Sequence, residues 1–173
     1  MLAKRNYCHH CGRKIDHRLE GGLIREYCLN CKITFYDNPA PVVSSVMVNS
    51  NKELLLVLRD QNPKAGMWCL PSGFVEINET IEKGALRELF EETHVEGEVI
   101  QLLDTVSYHD EFYGNLIWVS FEVKYITGDV IAGDDARAAR FFPIDEIPEL
   151  AFPPNIRAIK NYSNRRSLWN YPY

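Results

Sequence analysis

No apolar run in this chain approaches the roughly 18 residues that a membrane-spanning helix needs, and its opening, MLAKRNYCHH, holds no signal-like apolar stretch. A cytoplasmic protein without a membrane partner is the expectation. A basic excess is also missing: 19 lysines and arginines face 24 carboxylates, leaving a net charge of −5. That balance argues against an extended nucleic-acid surface, which relies on cationic side chains to meet phosphates. Neither internal repeats nor low-complexity segments occur. Cysteine is scarce, and five of them in a reducing compartment point to metal or chance rather than to disulfides. What remains is ordinary globular composition, 46% hydrophobic and 25% charged, in 173 residues that can build one good core and a small appendage.

Against this background one stretch is unusual: GFVEINETIEKGALRELFEETHV, Gly73 to Val95, crowds glutamates into a loop and the helix that follows it. Glu88, Glu91 and Glu92 stand at i, i+3 and i+4, which places their carboxylates on one helical face about 5–6 Å apart at the Cβ atoms. Glutamate-rich helices are often no more than solvated faces. Here, though, the spacing shows no counter-charge built into that face, and neighbouring carboxylates raise one another's pKa unless a hard divalent cation resolves the conflict. Mg²⁺ or Mn²⁺ is the expected occupant. Asn78 is a candidate cap for a helix beginning near Glu79, and Gly84, unfavourable in a helix interior by about 1 kcal/mol, suggests another group packed close to it.

Five residues separate Gly73 from Glu79 and seven separate Glu79 from Arg87; Arg87-Glu88-Leu89 is followed by Glu91-Glu92 and Val95. This resembles the Nudix box, G-x5-E-x7-R-E-U-x-E-E-x-G-U with U apolar, at every defined position but one. His94 occupies the place of the last glycine, where the chain is expected to turn left-handed at the helix end, at a cost of about 1 kcal/mol for histidine. Upstream, Gly66-Met67-Trp68-Cys69-Leu70-Pro71-Ser72-Gly73 is similar to the family's G-x-W-x-L-P-G-G. The resemblance implies an α/β/α sandwich with a mixed sheet, and metal ions on Glu88, Glu91 and Glu92. It implies Arg87 as an orienter of carboxylates together with Glu79, and a homodimer. A further acidic ligand in relatives precedes the final strand; this chain has Ala138-Ala139-Arg140-Phe141-Phe142 there, so Asp134 or Asp135 becomes the candidate.

Cys8-x2-Cys11 and Cys28-x2-Cys31, sixteen residues apart, have the spacing at which two turns present four thiolates to structural Zn²⁺. His9, His10 and His17 are possible substitutes, and Cys69 reads as a small apolar side chain. The segment is too short for its own core, so zinc would supply its folding free energy. Between the knuckles charges are mixed without aromatic interleaving, which favours structural support over nucleic-acid contact. A zinc ribbon, 1–36, followed by a Nudix hydrolase domain, 37–173, is similar to the arrangement in plant-type ADP-ribose/FAD pyrophosphatases and, less closely, NADH pyrophosphatases.

Beyond the Asp37-Asn38-Pro39-Ala40-Pro41 junction, Val42 to Val48 and Leu54 to Leu58 read as strands of a hairpin turned at Asn49-Ser50-Asn51-Lys52. Ile100 to Tyr108, Leu116 to Ile126 and Ala138 to Phe142 read as three more, and Pro153-Pro154 opens a C-terminal helix. Gly73, Tyr108, Phe112 and Tyr113 are the substrate-side candidates, with Trp118 a further flat surface, although aromatics in sheets more often pack in the core. The Ser-Gln-Pro-Trp of NADH pyrophosphatases is missing after the box, whereas Leu150-Ala151-Phe152-Pro153-Pro154 resembles the LAFP segment of the ADP-ribose/FAD type. The expectation is a Mg²⁺-dependent hydrolase that splits the diphosphate of a nucleoside diphosphate linked to another moiety, ADP-ribose or FAD, releasing a nucleoside monophosphate. The alternatives are a diadenosine polyphosphate or capped-RNA hydrolase, or a non-catalytic nucleotide-sensing or nucleic-acid-binding regulator.

Overall fold

A computed structural model describes residues 5–133 and 135–168, with the side chains of 166–168 outside the description. Three short strands, β1 (Asp16–Glu20), β2 (Leu23–Cys28) and β3 (Ile33–Phe35), form an antiparallel sheet at the amino-terminal end. Gly21 and Gly22, at φ 62° and 81°, make the two-residue turn between β1 and β2. Positive φ at both positions suits the right-handed twist of the strands they join. This sheet buries only Cys8, Ile15, Cys28 and Phe35, with Cys31 packed against them.

The remainder is built on two sheets. β4 (Ala40–Val46) lies inside a four-stranded sheet of order β7-β4-β9-β8, formed with β7 (Ser72–Phe74), β8 (Glu96–Asp110) and β9 (Gly114–Thr127). It runs parallel to β9 and antiparallel to β7, so the sheet is mixed as expected. β5 (Glu53–Arg59), β6 (Trp68–Cys69) and β10 (Ala136–Pro143) form the second, of order β10-β5-β6. Helices α1 (Ile81–Thr93) and α2 (Pro153–Leu168) cover opposite sides.

The continuous apolar run of β5 follows from that layering, because Leu55 packs with Ala85 and Leu89 of α1 while Leu54 and Leu56 pack with Ala158 and Ile159 of α2. A strand buried on both faces has no polar face to alternate. The 49–52 turn exists, with Asn49 N donating to Glu53 O at 2.9 Å, but the hairpin reading needs correcting. After one bridge between Val48 and Leu54, the strands on either side part into different sheets. Residues 96–110 and 114–127 make the long hairpin instead, and their strands start earlier than hydrophobic alternation suggests.

Helix α1 also begins later than the sequence reading placed it. Thr80, with φ −84° and ψ 159°, is the N-cap, and its hydroxyl accepts from Lys83 N. Asn78 stands at φ 74°, in the left-handed region that a box glycine would fill, and caps nothing. At the other end His94 takes the left-handed conformation as expected, with φ 57° and its N–H bonded to Phe90 O. Gly84 is crowded by the Glu79 carboxylate, which would lie 2.9 Å from an added Cβ, and by Val43. Replacing Thr80 with alanine should therefore cost about 1 kcal/mol of stability. N78G should be neutral or stabilising, since glycine pays no steric cost at positive φ; urea unfolding of the two variants checks both.

Candidate active site

Three carboxylates of the loop and helix are organised by one guanidinium. Arg87 Nε and Nη2 donate to the two oxygens of Glu79 at 3.1 and 2.7 Å, and Nη1 donates to Glu88 Oε1 and Glu91 Oε2, each at 2.8 Å. Nη2 also reaches Phe74 O at 2.9 Å, tying the cluster to the end of β7. The counter-charge that the i, i+3, i+4 spacing did not reveal is thus Arg87 itself. Its grip, aided by the Glu76 N–H, holds Glu79 down to about 2, and the surrounding carboxylates raise Arg87.

Glu92 stands apart from this grip. It is 8% exposed and accepts one hydrogen bond, from Ser72 N at 2.9 Å. Burial pushes its pKa up to about 8, with Glu88 and Asp135 adding to the rise against the pull of the Ser72 amide and Arg59. Burial also raises Glu88, opposed by Arg87. Gly73 leaves room for the Glu88 carboxylate, since an added Cβ would stand 2.1 Å from its carboxyl carbon and displace it.

These groups line a cavity of about 340 Å³. Its lining combines the carboxylates of Glu88, Glu91, Glu92 and Asp135 with the rings of Trp118, Phe152, Tyr113 and Phe74. Trp118 is fixed by its Nε1, which donates to Ser44 Oγ at 3.0 Å, while Ser44 and Ser120 hydroxyls meet at 2.8 Å. With its only polar atom satisfied inside the sheet, the indole offers the cavity apolar surface. Phe74 and Tyr113 meet edge to face at 5.3 Å.

Asp135 arrives from far along the chain. Its backbone oxygen accepts from Asp60 N at 2.9 Å and its carboxylate from Gln61 Nε2. Asp134 lies outside the described residues. Among the aromatic candidates, Tyr113 and Trp118 line the cavity and Tyr108 does not; Tyr108 packs edge-on against Trp118 at 6.2 Å. Phe112, 67% exposed, touches Tyr113 rather than the cavity. Strand alternation and a turn explain this split, since Asp110 Oδ1 accepts from the amides of Phe112 and Tyr113 and fixes which ring turns inward.

Arg59 escaped the sequence reading. It closes the apolar run of β5, lines the cavity, and lies 5.1 Å over the Phe152 ring with Nε donating to Pro63 O. A cation ending a buried strand is the only local signal, and it says nothing about where the strand points.

The donor chemistry fits hard cations in this cavity. The carboxylates lie close together in partial burial, and burial pushes two of them, Glu88 and Glu92, toward protonation. Among the described residues only Cys8, Cys11, Cys28 and Cys31 bring three or more ligand atoms within 4.8 Å of one another. The glutamates are therefore spaced too widely for a closed protein cage, as suits an ion that keeps water and shares substrate oxygens. In the cysteine group, an Arg13 backbone bond draws Cys11 down to about 6, while Cys31, beside it, is pushed up to about 12. Four thiols that cannot all ionise together unaided suit a soft divalent cation.

Because the folded pKa of Glu92 lies above its ordinary 4.5, the metal-free folded chain holds this proton more tightly than the unfolded chain. Its stability should accordingly fall as pH rises from about 5 through about 8. Thermal unfolding in chelator should show Tm declining over that window, E92Q should flatten the decline, and Mg²⁺ should raise Tm more at pH 8.5 than at pH 6.

Residues 38–162 match the NUDIX domain family. An ADP-ribose pyrophosphatase of Methanocaldococcus jannaschii is 39% identical over 132 residues, covering 76% of this chain and 77% of that protein. The NAD-capped RNA hydrolase NudC of Pectobacterium atrosepticum is 27% identical over 152 residues, 87% of this chain but 55% of the relative, so the chain spans about half of that protein's length. The crystal structure of a NUDIX hydrolase from Nitrosomonas europaea shares the fold with a TM-score of 0.82 at 30% identity, over 95% of this chain and 93% of that one. No described helix is long and apolar enough to cross a membrane. The match covers β4 to β10, α1, the first part of α2 and the arginine-bound glutamates, and it places the chain in the Nudix family of pyrophosphohydrolases.

Proposed function

We propose that the chain hydrolyses the diphosphate of a nucleoside diphosphate joined to another moiety, with ADP-ribose favoured over FAD, and releases AMP. The observation that carries this reading is that one cavity is lined by carboxylates, aromatic rings and the cation Arg59 together. A flat base fits against Trp118, Phe152 and Tyr113, and the diphosphate then falls beside the acids. The 39% identical relative is an ADP-ribose pyrophosphatase, which supports the same choice.

Glu88, Glu91 and Glu92 would hold Mg²⁺ or Mn²⁺, with Asp135 as a ligand from outside the helix. Bound there, the metal supplies charge neutralisation of the diphosphate and acidification of a coordinated water. Arg59, whose side chain donates to the carbonyls of Pro63 and Gln61, would offer N–H donors to phosphate oxygens. Arg87 keeps Glu79, Glu88 and Glu91 in place and is itself fully engaged, so it orients rather than binds. One carboxylate of this cluster would accept the proton of the attacking water. Water adds to phosphorus, the anhydride P–O bond breaks, and its electron pair leaves on the departing phosphate oxygen.

Cys8, Cys11, Cys28 and Cys31 would hold Zn²⁺, stabilising a ribbon of residues 1–36 beside a hydrolase domain of residues 37–173. A cytoplasmic homodimer completes the reading. A capped-RNA hydrolase is the second reading, favoured by the likeness to NudC across 87% of the chain.

A panel of ADP-ribose, FAD, NADH, diadenosine polyphosphates and NAD-capped RNA, each with Mg²⁺, decides the substrate. AMP and ribose 5-phosphate from ADP-ribose at the highest kcat/KM are expected, with E92Q lowering turnover by at least about a hundredfold. Binding without product would instead make the chain a sensor. Separately, C28S should lose zinc in elemental analysis and unfold the ribbon, with activity falling only indirectly; full zinc content in that variant contradicts the four-thiolate site.

A further inference from the structure

The exceptional residue in the box, His94, sits where a glycine would serve the backbone better. At φ 57° it carries the strain of a side chain in the left-handed region, and a cap needs no imidazole. The ring is used elsewhere. Nδ1 lies 3.0 Å from Ile131 O, a carbonyl to which an imidazole N–H donates.

That bond is one of several joining the carboxyl end of α1 to the segment that follows β9. Ile131 N donates to Thr93 O at 3.0 Å and Gly133 N to Glu92 O at 3.2 Å, so the segment supplies amides to the orphan carbonyls of the helix end. Contact is close at both of its glycines. A Cβ on Gly133 would stand 2.4 Å from Glu91 O and 2.7 Å from the His94 ring; one on Gly128 would stand 2.4 Å from His94 O. Ala136 N then bonds back to Gly133 O, and within this turn Asp135 faces the cavity of the glutamates.

We propose that His94 is a positioning residue, its imidazole latching residues 128–133 onto the end of α1 so that Asp135 is presented beside Glu92. The role rests on the reading of Asp135 as a cation ligand, and it links the carbonyls behind Glu91 and Glu92 to a ligand more than 40 residues away in sequence. A purely backbone role for position 94 makes the opposite prediction. Glycine there relieves the left-handed strain, so H94G would then match or exceed the wild-type protein in every respect.

The test uses the full chain with two readouts, amide hydrogen exchange of Ile131 and Gly133 in chelator, and Mn²⁺ affinity by electron paramagnetic resonance titration. H94G is expected to speed exchange at both amides and to weaken Mn²⁺ by about fivefold, the scale of one hydrogen bond. H94N, which accepts the same backbone and keeps a side-chain donor, should restore part of each. D135A should weaken Mn²⁺ to a similar extent, and H94G should add little to it, because both act through one ligand. Wild-type exchange and Mn²⁺ affinity in H94G overturn the latch. Wild-type Mn²⁺ affinity in D135A fails the ligand reading instead, while the exchange readout still judges the latch on its own.

Discussion

The Arg87 guanidinium, planar and carrying five N–H donors, is the constraint on which the site depends, because without it Glu79, Glu88 and Glu91 would repel one another out of any common arrangement. It meets three carboxylates and a backbone carbonyl at once, which lysine, a point charge on a flexible stem, could not do. Their positions are consequently set before any cation arrives. Glu92 is left outside that network and inside the protein, where burial opposes its charge. The acids of one helix face thus divide into a group stabilised by arginine and one set apart by burial.

Packing makes this division possible. Leu89 and Ala85 bury one side of α1 against the sheet, and Gly73 brings the β7 backbone so close that the Glu88 carboxyl fills the space a side chain would take. Ser72, next to it, is paired with Ser44 of β4 and gives its amide to Glu92. β4 therefore links the core to the acids through its pairing with β7, and through Ser44 it also fixes Trp118 in the same cavity. One strand aligns both chemistries of the cavity.

The two proposed metal sites separate by donor softness. Carboxylates spaced beyond a closed cage suit a hard ion that shares substrate and water, and they border an open cavity. The four sulfurs sit close together around a minimal apolar cluster, and suit a soft ion that completes a fold. Anhydride chemistry alone does not distinguish one nucleotide derivative from another, so the rings of the same cavity are the side chains in the proposed site that differ in kind from the acids.

Local spacing determined much of this protein. The acid helix, its arginine, the paired cysteine knuckles, the left-handed turn at His94 and the doubly buried β5 are all encoded within a few residues, where periodicity and backbone preference act. Tertiary structure decided the rest. Which aromatic ring turns inward, that Arg59 reaches the cavity, that Asn78 yields the cap to Thr80, and that residues 42–48 and 54–58 part into different sheets all depend on what the distant chain packs against. Asp135 is the plainest case: no local pattern ties it to Glu92, and only the close packing of residues 128–133 on the end of α1 brings the two carboxylates to one cavity. Hydrogen bonds and burial act through space, and a linear pattern records only the neighbours that the chain itself supplies.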